Sequence, residues 1–113
     1  MGLFLAIAGI VAVGALVAYA VVLTIRWLKN KIKTLLAKKN VKKVAAMDLE
    51  RLVDECPNQK CLNDLLDDDY DMVVASVNDN GKIEDVEVVK NTGDEDYEVD
   101  DLLGSERMVV VNQ

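Results

Sequence analysis

LFLAIAGIVAVGALVAYAVVLTI, residues 3–25, is the stretch on whose reading the fold turns. It contains no charged residue. As a helix it would extend roughly 35 Å, enough to cross a hydrocarbon core about 30 Å thick. In lipid every backbone polar group needs an internal partner, so the run is predicted to be helical. Tyr19 and Trp27 are amphipathic rings of the kind that sit at membrane interfaces. Residues 1–27 are therefore expected to form a single transmembrane helix. A cleaved leader is the rival reading, because Ala18-Tyr19-Ala20 matches a small-x-small cleavage pattern. No basic stretch precedes the run and it continues unbroken to Ile25, which favours an uncleaved anchor.

Charge divides the chain on either side of residue 47. Residues 1–47 carry eight Lys or Arg and no acid, a net +8. Residues 48–113 carry five bases and all twenty acids, a net −15, and the whole chain stands at −7. The bases follow the apolar run and none precedes it. The positive-inside rule then places the N-terminus outside and the C-terminal side in the cytoplasm, at the cell (plasma or inner) membrane.

Residues 28–47 are read as a basic, amphipathic juxtamembrane helix and linker. Leu28, Ile32, Leu35 and Leu36 recur at helical spacing, with lysines on the remaining faces. Trp27, Lys29, Lys31, Lys33, Lys38 and Lys39 are the candidate membrane-interface residues, and anionic lipid headgroups are their expected partner. Within the span, Ala8, Ala12 and Ala15, or Gly14 and Ala18, form small faces for close helix contact and so for a homo-oligomer. Nucleic acid is excluded as a partner, since the acidic half opposes it.

Residues 48–113 are expected to fold as a small acidic α+β domain. Asp48 is placed to cap a helix over residues 48–56, with Leu49, Leu52, Val53 and Cys56 on one face. Pro57 ends it, and residues 58–66 gather Cys61, Leu62, Leu65 and Leu66 on a second helix. Met72–Val77 is β-rich, Asn78-Asp79-Asn80-Gly81 is strong turn chemistry, and Ile83, Val86 and Val88 continue into a second strand. Val99–Leu103 is read as a helical turn closed by Gly104, and Met108–Val111 as a third strand. The predicted fold is one N-terminal transmembrane helix followed by a cytoplasmic α+β domain with two short helices and a three-stranded antiparallel sheet.

Residues 76–87 resemble an EF-hand calcium loop. Gly81 stands at the sixth position, Ile83 at the eighth, Glu87 at the twelfth, and Asn78 and Asn80 at the third and fifth. Ser76 stands where the usual first Asp is found, and both flanks are strand-like rather than helical. The resemblance covers this loop alone and implies a divalent-cation site at Asn78, Asn80, Lys82 and Glu87. A tight hairpin turn accounts for the same residues.

The chain has no histidine and only two serines, Ser76 and Ser105. Ser–His and Cys–His nucleophile systems cannot be assembled from it. No cofactor is expected, and the chain is read as a non-enzyme. Two cysteines, Cys56 and Cys61, lie on apolar faces and read as small buried hydrophobes. The acidic runs supply candidate partner-docking residues, Asp67, Asp68, Asp69, Asp71, Asp94 and Asp96, suited to a basic protein partner. The expected function is thus recruitment or regulation of a protein partner at the membrane. An accessory or structural subunit of a larger membrane complex is the alternative, and a cation sensor the third reading.

Overall fold

The computed structural model describes residues 2–113. The long apolar run does not stay one helix. It becomes α1 (Gly2–Ala12), a turn, and β1 (Val17–Val21). Gly14 makes the break, with φ at 75°, a left-handed conformation that glycine adopts without a Cβ penalty. Thr24 opens α2 (Ile25–Leu36) as its N-cap, its hydroxyl accepting from Trp27 N at 3.1 Å. Next come β2 (Val41–Asp48), α3 (Leu49–Glu55), α4 (Lys60–Asp67), β3 (Met72–Asn78), β4 (Ile83–Asn91), α5 (Tyr97–Leu103) and β5 (Met108–Asn112).

The five strands make one sheet in the order β1-β4-β3-β2-β5. β1 runs parallel to β4, while the other neighbours are antiparallel. Successive strand residues point to opposite faces, and both faces are covered. Ala45, Met47, Val73, Ala75, Val86 and Val88 line one face, against Ile7 and Val11 of α1, Leu49 and Leu52 of α3 and Leu62 of α4. Val44, Ala46, Met72, Val74 and Val89 line the other, against Leu28, Ile32 and Leu35 of α2 and Val99 and Leu103 of α5. The result is three layers, helices on either side of a mixed sheet. Each fully buried Leu or Ile contributes about 1.5–3 kcal/mol relative to exposure.

Four expectations are corrected by this arrangement. No helix among the described residues is long and apolar enough to cross a membrane. The predicted transmembrane helix fails because its apolar side chains are used twice, once to cover the sheet from α1 and once to extend it as β1. The single-pass, membrane-anchored localisation, with its outward N-terminus and cytoplasmic domain, is not supported, since the span that carried it is absent. The sheet has five mixed strands rather than three antiparallel ones, and five helices surround it. β2, expected as linker, is a central strand between β3 and β5, and Val44, Ala45, Ala46 and Met47 are all buried. A strand covered on both faces is near-continuously apolar rather than alternating.

The predicted basic collar is mostly α2, lying on the sheet. Trp27 packs edge-on to Tyr19, with ring centroids 6.5 Å apart. Lys31 points back to the sheet, its Nζ 2.9 Å from Glu87 Oε1 and 4.4 Å from the Tyr19 ring centroid. Lys38 pairs with Asp85 at 3.2 Å. Lys29, Lys33 and Lys39 are exposed.

Candidate functional site

β2 ends, β3 begins and β4 ends at the same rim of the sheet, and the loop leading into α5 closes over it. Asp48 closes β2, Asp71 precedes β3, and Asn91 closes β4. A cleft of about 340 Å³ opens there. Six carboxylates line it, from Asp48, Glu50, Asp71, Glu95, Asp96 and Asp100. Its apolar lining comes from Leu23, Leu66, Tyr70, Met72 and Val99.

Two of the six are fixed by backbone donors. Asp96 Oδ2 accepts from Ile25 N at 2.9 Å, tying the α5 loop to the start of α2. Its Oδ1 accepts from Glu98 N at 2.9 Å and caps α5. Asp71 Oδ2 accepts from Asn91 N at 2.7 Å. Asn91 in turn accepts from Leu23 N and Gly93 N, both at 3.0 Å. Gly93 lets this loop pass Val22 closely, since a Cβ there would lie 2.7 Å from Val22 Cγ1. Glu50, Glu95 and Asp100 are exposed on the rim.

Electrostatics mark the cleft as short of positive charge. Burial pushes the Asp48 carboxyl up, and the charges of Asp100, Glu50 and Asp71 add to that while Arg107 opposes it. Glu95 is pushed up by its hydrogen bond to Asp100 and by that residue's charge. Of the nearby cations, Arg107 is engaged by Asp54 and Glu50, and Lys90 lies over the Tyr70 ring, 4.9 Å from its centroid. Both raised carboxyls bind protons more tightly in the folded chain than in the unfolded one. Their contribution to stability is complete below the ordinary carboxylate range, about pH 4, and is lost as pH rises through their folded values. Calorimetry is expected to show a higher Tm at pH 5 than at pH 7, with Asp48→Asn flattening that rise. A Tm that falls steadily from pH 7 to 5 would contradict the assignment.

The sequence-predicted docking residues divide. Asp71 and Asp96 line the cleft, and Asp94 lies in an adjoining groove with Val22, Thr24 and Glu98. Asp67, Asp68 and Asp69 are exposed at and just beyond the end of α4, outside the cleft lining. Asp48, Glu50, Glu95 and Asp100 were not among the predicted site residues. Their signal was partial: Asp48 reads as a helix cap, and Glu95 and Asp100 fall inside an acidic run.

The EF-hand-like residues are placed on a β-hairpin. Asn78 Oδ1 accepts from Asn80 N at 2.9 Å and Lys82 N at 3.0 Å, closing the turn. Gly81 has φ at 78°. Glu87 lies further along β4, with its carboxylate paired to Lys31. Among the described residues, no group of three or more Cys, Asp or Glu is arranged to hold a metal ion. Cys56 and Cys61 are both free thiols, and burial pushes the Cys56 thiol up. Of the small residues read as contact faces, Ala8 is buried on the core-facing side of α1, Gly14 forms the turn, and Ala12, Ala15 and Ala18 are exposed.

Comparison of the chain with protein-family models, with curated proteins and with solved structures finds no match.

Proposed function

We propose that the chain is a protein-docking module whose acidic cleft receives a basic segment of a partner. The observation that carries this is the lining itself: six carboxylates around an apolar floor, with Asp48 pushed towards its protonated form by burial and then by its acidic neighbours, and Glu95 by Asp100. An incoming Lys or Arg relieves that repulsion. Its aliphatic stem lies along the apolar lining while its charged head reaches the rim. Such a surface speeds encounter through long-range attraction and discriminates against acidic partners. No catalytic step is part of the reading, in keeping with a chain that lacks histidine.

Fluorescence anisotropy with a labelled Lys/Arg-rich peptide tests it. Binding is expected to weaken at least tenfold between about 50 and 300 mM salt, as exposed charges are screened. Glu50→Gln, Glu95→Gln and Asp100→Asn together remove three rim charges without touching the backbone ties made by Asp71 and Asp96. That variant is expected to lose a further tenfold or more. Neutralising Asp67, Asp68 and Asp69 should have a smaller effect. Affinity indifferent to salt and to the rim substitutions would refute the docking role.

A further inference from the structure

β1 is an edge strand: it pairs with β4 on one side, and among the described residues its other side has no neighbour in the sheet. The pairing fixes which backbone groups remain open. Thr92 N donates to Val21 O, and Leu23 N donates to the Asn91 side chain, so the odd-numbered residues face β4. Alternation along the strand then turns the N–H and C=O of Ala18 and Ala20 outward to the open edge. Natural edge strands are usually blunted by a charge, a proline or a bulge. β1 has none of these: its sequence is VAYAV, and Val17, Ala18 and Ala20 are exposed.

We infer that this edge pairs with the same edge of a second copy of the chain, in antiparallel register about a two-fold axis through Tyr19. Ala18 then faces Ala20 of the second copy, and each such pair exchanges two backbone hydrogen bonds. The five-stranded sheets join into one. Three observations select a second copy. The open edge needs a strand whose own donors and acceptors are free, and this chain supplies one. Each copy carries a net charge of −7, so two copies meet most readily where neither is charged, and residues 3–25 contain no charge. Lys31, beside the strand, is already held by Glu87 and by the Tyr19 ring. Val13 and Val22, 76% and 56% exposed, flank the strand in sequence and extend the apolar surface. β5, the other open edge, is preceded by Glu106 and Arg107 and lacks that uncharged surround. Pairing β1 with β5 of another copy would leave free edges and polymerise rather than close.

Sedimentation velocity on the full chain, from about 1 to 200 µM, gives the decisive reading. A reversible dimer is expected, with amide exchange at Ala18 and Ala20 slowed at least tenfold in the dimer. Ala20→Pro removes an outward N–H without taking a bond from β4, and should weaken the dimer at least tenfold. Ala18→Lys with Ala20→Lys sets lysines opposite one another across the axis and should give a monomer. Ala18→Lys with Ala20→Glu pairs opposite charges in this register and should keep the dimer. A monomer throughout the range, an open series of oligomers, or a dimer indifferent to all three variants overturns the inference.

Discussion

Ile7→Ala is expected to destabilise the folded chain by about 2–5 kcal/mol, while Leu5→Lys shifts stability by no more than about 0.5 kcal/mol. The two residues lie two positions apart in the same apolar run. Ile7 is fully buried between α1 and the sheet, where truncation loses both transfer energy and the contacts around the cavity. Leu5 is 62% exposed on the opposite side of α1. A lysine there keeps its stem on the helix and its charge in water. In a bilayer-spanning helix the lysine would instead be the costly change, at about 2.5–3.5 kcal/mol near the centre. Urea denaturation of the two variants therefore separates a covering helix from a spanning one. An unchanged midpoint for Ile7→Ala, or a Leu5→Lys chain that fails to fold, would contradict the placement of α1.

Lys31→Met should destabilise by about 3 kcal/mol, near the lower end for breaking a buried pair because some solvent still reaches the lysine. Glu87 is 5% exposed, within the layer between the sheet and α2. Without the ammonium its charge has no compensation there. Burial acts to lower the Lys31 pKa, and the adjacent Glu87 carboxylate, with Tyr19, outweighs it and raises it. The pair's contribution is thus complete below the ordinary lysine value, about 10.4, and is lost only as pH climbs through the raised folded value. Lys31→Met combined with Glu87→Leu should recover most of the loss, since two apolar groups of similar size need no partner. By contrast Lys60→Met breaks an exposed i,i+4 pair with Asp64 and should cost less than about 0.5 kcal/mol. Thermal unfolding of the parent chain and these variants, with Glu87→Leu alone completing the cycle, measures the coupling. A double variant no more stable than Lys31→Met alone would argue against a buried pair.

The second half of the chain was legible because its local signals agree with its tertiary role. Pro57 separates α3 from α4, and Asn78-Asp79-Asn80-Gly81 turns β3 into β4. Gly104 ends α5 at a positive φ. Each of these is settled within a few residues. The first half lacked such signals. An uncharged apolar run is equally suited to lipid and to a two-layer burial, and only Gly14 hinted at a break. β2 was hidden by Lys42 and Lys43 at its start and by Ala45 and Ala46, which have weak strand preference. Its strand character comes from the neighbours on both sides. The cleft was half visible for the same reason. Asp71 and Asp96 belong to conspicuous acidic runs, but Asp48 joins them only because β2 and β3 lie side by side.

The parallel pairing of β1 with β4 sets the order in which the chain can complete itself. Val17 lies opposite Glu87, 70 residues later. At about 5–20 residues per second, a ribosome delivers that partner strand roughly 4–14 s after β1 has been made. Throughout that interval the uncharged segment over residues 3–25 has no sheet to join. The β3–β4 hairpin, whose contacts are local, forms quickly once synthesised, and β1 docks on it as a late, long-range event. For several seconds of its synthesis the nascent chain therefore displays in full the apolar stretch that the finished fold partly covers. Factors that bind emerging hydrophobic segments have their opportunity then.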